Sequence, residues 1–472
     1  MGEKVARFIN DRPSMRWTAL ILIALMMLFG YMFVDVMSPL QQLVESERGW
    51  SPDVFGKYAS AEYLLNVCGF LILAGIILDK MGIRFTGTLS AGMMFVGATI
   101  KFVAVSPWFQ ETGLCASLDG IMDMPGSAVL ASLGFMIFGC GCEMAGTTVS
   151  KAIAKWFKGK EMAMAMGIEM AIARIGVFAI FSISPLIANK LGGVQAPVGF
   201  CAVLLLIGLI NFSIFSVLDR KFDNQLKEEG LLVKDSPEDE FKISDLKFIF
   251  KSRSFWVVAI LCVLYYSAIF PFQRYGANML QCNLDGIDPK SAADIFRWFP
   301  VGAAVITPFL GRYLDNKGKG ATMLIFGSLL LIICHLVFAF VLPLTHSEII
   351  AYSTIVVLGV SFSLVPAALW PSVPKIIDEK ILGSAYNLIF WVQNIGLCLV
   401  PMLIGSVLAS SNADNPAVIA AKEAGAEFIP YNYTVPLIIF ACFGVAAFGI
   451  ALYLKVLNKQ KGLGLEDPNI KK

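Results

Sequence analysis

Histidine is almost missing from this chain, with two copies in 472 residues. A zinc centre or a histidine proton relay therefore has almost nothing to build on, since both lean on imidazole ligands or shuttles. Charge is scarce as well. Asp, Glu, Lys and Arg make up 15% of the residues, against roughly 25% in soluble domains. The net charge of +2 offers no bulk attraction to nucleic acid. The chain shows no nucleotide-binding loop, metal cluster or nucleophile constellation, so neither an enzyme nor an ATP-driven pump is expected, and no cofactor or metal is called for. Cysteine is present in ten copies but without the spacing of a metal site or a disulfide framework. Cys68, Cys140, Cys142, Cys201, Cys262, Cys334, Cys398 and Cys442 lie in apolar runs, where cysteine acts as a small hydrophobe. Cys115 and Cys282 fall in loops, which leaves room for one bridge between them.

What the chain has in abundance is apolar residue, 57% of the total with a mean hydropathy of +0.72. That composition belongs to an integral membrane protein whose main partner is the lipid bilayer. Apolar runs long enough to cross a hydrocarbon core of about 30 Å lie near 17–43, 56–78, 86–105, 127–150, 162–188 and 195–218. Six more lie near 254–278, 293–314, 320–343, 349–372, 383–409 and 432–456. The expected fold is all-α with twelve transmembrane helices in two six-helix halves, 1–218 and 254–472. Most of the 37 Lys and Arg residues fall at the termini and in the even-numbered connections. The positive-inside rule then places both termini in the cytoplasm. Between the halves, 219–253 reads as a cytoplasmic linker. Its first part is a solvated charge run, and its second, Phe241 to Phe250, suits an interfacial helix.

One motif occurs twice. Gly75, Asp79 and Gly82, followed by Arg84, stand between the second and third runs; Gly311, Asp315 and Gly318 stand at the matching place in the second half. Glycine permits close helix approach, and the aspartate can pair with basic groups or a helix N-terminus. The pair of Gly-x-x-x-Asp-x-x-Gly loops in a six-plus-six chain resembles the major facilitator superfamily, whose halves are parallel repeats. Longer patches resemble its lysosomal dipeptide uniporter branch: Trp156 to Glu161, Ala173 to Gly176, Tyr265 and Tyr266 with Pro271, Ala368 to Pro371, and Gln393 and Asn394. The resemblance implies movement of dipeptides by alternating access, as a uniport or coupled to protons. It departs at Asp35, which is followed by Val-Met-Ser-Pro where the family has Asn-Pro. Glu62 and Lys101 have no recognised family counterpart.

Charges at bilayer depth cost about 2.5–3.5 kcal/mol each on insertion scales, so they line pathways or find partners. Glu143 and Arg174 sit on the fourth and fifth runs. Their spacing allows a direct ion pair or a gap wide enough for a small zwitterion. The resemblance implies the second, with the substrate amine at Glu143 and its carboxylate at Arg174. In the C-terminal half, Tyr266, Trp370, Tyr386, Gln393 and Asn394 are candidate substrate contacts, with packing as the alternative. Asp35 and Glu62 are candidates for coupling or gating; Asp35 as a capped residue near the outer interface and Glu62 as an interfacial one are the alternatives. Lys101 is expected to snorkel, and Arg274 to be interfacial. Met162, Met164, Met166 and Met170 read as adaptable packing. A functional monomer is expected, in a bacterial inner membrane or, alternatively, a lysosomal one. The rival functions are an organic-anion or sugar-acid symporter driven by protons, and a sensor or scaffold that no longer transports.

Overall fold

A computed structural model describes residues 8–229, 249–378 and 381–468. The interfacial helix expected at Phe241–Phe250 falls almost wholly outside them. The described residues are helical, with no strand among them. The long helices are α1 (Pro13–Asp35), α2 (Pro52–Leu65), α3 (Leu71–Ala104), α4 (Gly126–Trp156), α5 (Met162–Leu191) and α6 (Gln195–Glu228). They continue with α7 (Arg253–Asn283), α8 (Trp298–Lys317), α9 (Gly320–Leu336), α10 (Glu348–Ser372), α11 (Leu382–Ser411) and α12 (Thr434–Lys461). Their starts follow ordinary capping chemistry. Ser51 accepts from the Val54 amide ahead of Pro52, and Ser252 from the Phe255 amide, each satisfying a donor the first turn leaves open.

Eleven stretches among the described residues are long and apolar enough to cross a bilayer. One of them, Pro52–Ala104, has 53 residues, far more than the roughly 20 a crossing needs. It joins α2 and α3 through a π turn at Asn66–Phe70, with Gly69 at φ +111°, and breaks again at Gly82, with φ +76° and ψ 174°. Glycine is required at both points because a Cβ disfavours positive φ. The sequence run near 195–218 also ends later than expected. Helix α6 continues to Glu228, and Asp219, expected in a solvated charge run, is fully buried beside Phe222.

Helix neighbours repeat with a six-helix offset. In the first set α1 packs on α5 and α6, α4 on α2 and α3, and α3 on α6. In the second, α7 packs on α11 and α12, α10 on α8 and α9, and α9 on α12. The two sets meet through α2 on α11 and α5 on α8, a pair of contacts that the same offset interchanges. Small residues make the close approaches. A Cβ on Gly97 of α3 would lie 2.4 Å from the Gly134 carbonyl of α4, and one on Gly139 of α4 would lie 1.9 Å from the Glu62 carbonyl. Backbone contact of this kind replaces the hydrophobic drive that lipid cannot supply.

Hydrogen bonds between the two sets gather at the end of the bundle that carries Trp50. Gln42 donates to Asn278 at 2.8 Å and to the Ile429 carbonyl at 3.1 Å; Tyr431 donates to Glu45 at 2.6 Å; the Met402 amide donates to Ser60 at 3.0 Å. Ser182 of α5 donates to Asp294 at 2.5 Å. At the opposite end, which carries Trp156, the bonds among described residues stay within each set. Both described chain ends sit there too. Asn10 donates to the Trp156 carbonyl, and the Glu466 carbonyl and carboxylate take the Lys319 and Thr322 amides.

Candidate functional site

Two groups of charge lie inside the bundle, and they differ in how their partners are supplied. The first is closed. Arg274, placed on α7 by the turn after Pro271, is buried rather than interfacial. Its Nη1 pairs with Asp35 Oδ1 at 3.1 Å, and its Nη2 pairs with Glu62 Oε2. The same guanidinium donates to the Val34 carbonyl at the end of α1. Ser38 donates to Asp35 at 3.1 Å and Gln273 does so at 2.5 Å. Neither Asp35 nor Glu62 is therefore interfacial. Asp35 is fully buried and Glu62 nearly so, and both are held by a cation from the other set of helices. A planar guanidinium suits this task because it offers several donors in a fixed fork.

Lys101 is the second surprise in that region. It does not snorkel: it is fully buried, with its ammonium 4.3 Å from the Phe33 ring centre, 4.5 Å from Phe135 and 5.0 Å from Tyr58. The Nζ has no hydrogen-bond partner. Aromatic faces attract a cation through their quadrupoles, which places this ammonium over ring faces where a hydrogen-bond acceptor would be the usual partner.

The second group is open. Glu143 of α4 and Arg174 of α5 are each half-buried, and among the described residues they form no ion pair or hydrogen bond, with each other or with any neighbour. Tyr31 of α1 stands within electrostatic reach of Arg174, Cys142, Glu169 and Glu143, so these groups surround one region. Arg174 leans toward the other set of helices, its Cζ 5.0 Å from the Phe362 ring centre on α10. Phe362 in turn meets Tyr266 and Phe270 edge-on.

That aromatic patch gathers most of the C-terminal candidates. Trp370 donates its Nε1 to the Tyr266 hydroxyl at 3.3 Å and stacks on Phe390 at 4.9 Å, and Tyr386 donates to the Trp370 carbonyl at 3.2 Å. Asn394 lies a turn beyond Phe390 and donates to its carbonyl at 3.0 Å, while its Oδ1 is buried without a partner. Gln393 points elsewhere, accepting from the Cys262 thiol at 3.4 Å. Tyr265 is fully buried against Ser361 at 2.9 Å.

Tyr31, Phe362 and Glu169 escape the sequence reading. The first two look like packing residues in any apolar run, and Glu169 lies among the methionines that open the fifth run. Of the four methionines there, Met162, Met164 and Met170 are exposed on the helix surface instead of packed inside. All ten cysteines are free, Cys115 and Cys282 included.

The repeated loops lie at the Trp156 end and do different work. In the first, Asp79 pairs with Lys151 at 3.2 Å, and Arg84 pairs with Asp219 at 3.2 Å and with Asp223. Asp219 also accepts from Lys155 at 2.7 Å and from the Trp156 indole at 2.9 Å. This network ties α3, α4 and α6 together. In the second loop, Gly318 takes φ +72°, and a Cβ there would lie 2.2 Å from the Glu466 carbonyl, so the C-terminal segment seats on it. Gly75 and Gly311 have open space around them. At the surface between α4 and α5, Arg16 holds the Glu161 carboxyl below the usual carboxylate range by hydrogen bonding at 2.8 Å.

Comparison with known proteins agrees with this architecture. The sequence matches the Major Facilitator Superfamily over residues 20–401. It is 29% identical to the lysosomal dipeptide transporter MFSD1 of Danio rerio over 71% of this chain and 68% of that one. Against the Homo sapiens protein of the same name it is 28% identical, over 60% of each chain. Among solved structures it resembles a mutant form of the nucleoside transporter NupG, with a TM-score of 0.71 at 14% identity, covering 93% of this chain and 99% of that one. It also resembles a D-xylose-proton symporter, with a TM-score of 0.66 at 14% identity, covering 93% and 97%. With the repeated glycine loops, the six-helix offset in packing and a match across most of its length, this chain is a multi-pass membrane transporter that belongs to the Major Facilitator Superfamily.

Proposed function

We propose that the protein moves dipeptides across its membrane by alternating access, with Glu143 receiving the amino end and Arg174 the carboxylate. The observation that carries this reading is that these two costly charges remain unpaired, although they sit on adjacent helices beside one region. A charge at this depth is retained where a ligand or pathway uses it. The relatives named for dipeptide transport support the substrate class. Arg174 fits the carboxylate because its fork makes two parallel bonds. Trp370, Tyr266 and Tyr386 form the wall across from Arg174, where a substrate side chain would lie. Asn394 is a polar contact next to that wall, and Gln393 supports α11 from its far side.

We further read the Pro52–Ala104 stretch as two crossings separated at Gly82, which gives twelve spans in two six-helix halves, 1–218 and 254–472, joined by a 219–253 linker. Basic residues place both termini in the cytoplasm. On that orientation the Trp50 end faces outward and is closed, and the Asp35–Arg274–Glu62 cluster is its inner bolt. Turnover to the outward-open state requires α1 and α2 to leave α7, so this cluster must part in every cycle. Proton uptake by Asp35 or Glu62 would ease that step, whereas a uniporter would part the cluster unaided. The proposed setting is a bacterial inner membrane, with a lysosomal membrane as the alternative, and the proposed working unit is a monomer.

Uptake by proteoliposomes tests this. Labelled dipeptides are expected to enter saturably, and free amino acids and hexuronates are not. Hexuronate uptake in place of dipeptide uptake would sink the reading. Flux that follows an imposed pH gradient would assign symport, and flux indifferent to it uniport.

A further inference from the structure

Helices α2 and α4 run side by side in a steady register. The Trp50 indole donates to Ser127 at 2.9 Å at the foot of the pair, Tyr58 stacks on Phe135 at 4.9 Å, and the Glu62 carbonyl abuts Gly139. From Tyr58 to Glu62 is one turn of α2, and the matching step from Phe135 to Gly139 is one turn of α4. One further turn on each, about 6 Å along the axis, reaches Asn66 just past the end of α2 and Glu143 on α4. The register thus puts Asn66 level with the open Glu143, and the π turn packs against α4 there.

Asn66 is itself anomalous. It is fully buried, and neither its Nδ2 nor its Oδ1 has a hydrogen-bond partner. A buried amide left in this condition carries a desolvation cost that most native side chains avoid. It also opens the π turn that extends to Phe70, and such turns within α-helices recur at functional sites. The turn is held from the other set of helices, since Trp391 of α11 donates its indole to the Val67 carbonyl at 2.9 Å. Asn66 therefore lies where α2, α4 and α11 converge, between the closed charge cluster one turn away and the open carboxylate.

We propose that Asn66 is a substrate-binding residue that completes the amino-end pocket with Glu143, its Oδ1 accepting from the substrate ammonium and its Nδ2 donating to the peptide carbonyl. The inference rests on the dipeptide reading above. A dipeptide carries these complementary groups two or three bonds apart, and an asparagine amide presents one acceptor and two donors. A free amino acid offers a carboxylate oxygen at the same place, so Asn66 reads the amino end of either ligand, and discrimination against amino acids rests with the separation of Glu143 from Arg174. The amide stays unsatisfied in the empty protein and gains its partners with the ligand.

The test uses the full chain in nanodiscs with Ala-Ala as ligand, read by calorimetric binding and by thermal unfolding of the ligand-free protein. Asn66→Leu removes both orphaned atoms at similar volume, so the ligand-free protein is expected to melt at or above the wild-type temperature. Its Kd for Ala-Ala is expected to rise about tenfold or more. Asn66→Ala, which fits any space Leu does not, is expected to lose affinity likewise, and Asn66→Ser to recover part of it. Wild-type affinity in the Leu and Ala variants overturns the inference alone. So does a loss of affinity that only tracks a loss of melting temperature in both. A wild-type protein that binds no dipeptide overturns the dipeptide reading, and the role of Asn66 falls with it.

Discussion

The two charge groups inside the bundle have opposite designs. Around Arg274, two carboxylates and a backbone carbonyl converge on one guanidinium, a serine and a glutamine donate to one of those carboxylates, and each charge is answered by protein. Around Glu143 and Arg174, no described neighbour forms an ion pair or hydrogen bond with either charge, and only the Phe362 ring faces the guanidinium. Desolvating an ion is expensive in both places, and only the first group recovers that cost internally. The difference separates two tasks. A group whose partners come from both sets of helices fixes their relative position, whereas a group whose partners are missing waits for a ligand.

The largest expected effect breaks the first group. Arg274→Ala leaves Asp35 and Glu62 facing each other in a buried site. Loss of one member of a buried ion pair typically costs about 3–5 kcal/mol, so thermal unfolding of purified protein should show a steep loss of melting temperature. Replacing all three residues by Leu should restore most of it, because an apolar core of similar volume is often neutral or better. An Arg274→Ala protein as stable as wild type would remove the basis for calling this cluster a bolt.

Next in size is the open group, where stability and transport should separate. Glu143→Gln and Arg174→Ala remove charges that form no ion pair or hydrogen bond among the described residues, so melting temperature should stay close to wild type, apart from the contact of Arg174 with the Phe362 ring. Dipeptide flux should fall by about 2–5 kcal/mol of lost binding, the usual loss when one partner of a desolvated charge pair is truncated. Vesicle uptake at low substrate concentration measures it. Stability that falls as far as it does for Arg274→Ala would erase the contrast between the groups.

This contrast also marks how far the sequence could be read. Hydropathy, the twin glycine loops and charge placement pointed to membrane crossings in two sets, since lipid imposes long apolar runs and backbone self-satisfaction on any such chain. Glu143 and Arg174 stood out because charge within an apolar run is rare. Their openness did not, because pairing depends on helix rotation, which a pattern of apolar residues leaves undetermined. Arg274 and Lys101 were misplaced for the same reason. Both fall where a run nears its expected end, and only the packing of α1, α2 and α4 shows that they turn inward. Asp219 looked like a solvated charge because α6 outlasts its apolar run by a few turns. Asn66 carried a weaker signal still, as one polar residue in a span, three residues ahead of a glycine that takes a positive φ.

A smaller effect sharpens the picture of the closed group. Gln273 donates to Asp35, and its own Oε1 is buried without a partner. Gln273→Met removes one hydrogen bond to a charged group, worth about 1.5–3 kcal/mol, and at the same time removes an unsatisfied oxygen that offsets part of the loss. The melting temperature should therefore fall less than for Arg274→Ala and by a measurable margin. An unchanged melting temperature would mean that Arg274 and Ser38 hold Asp35 without Gln273.

The smallest expected effect belongs to the aromatic wall. Trp370→Phe keeps the stack on Phe390 and deletes only the indole donor to Tyr266, a neutral bond at 3.3 Å. Such a bond contributes about 0.5–1.5 kcal/mol, and the freed Tyr266 hydroxyl can turn toward Arg174, whose charge it already feels. Melting temperature should hold, and the apparent affinity for dipeptides should shift by a few-fold, with the change largest for substrates that have bulky side chains. Trp370→Ala, which removes the wall itself, should exceed it. If the Phe variant matches wild type on every side chain while the Ala variant loses transport, the wall acts by shape and stacking, and the polar chemistry of the site rests with Glu143 and Arg174.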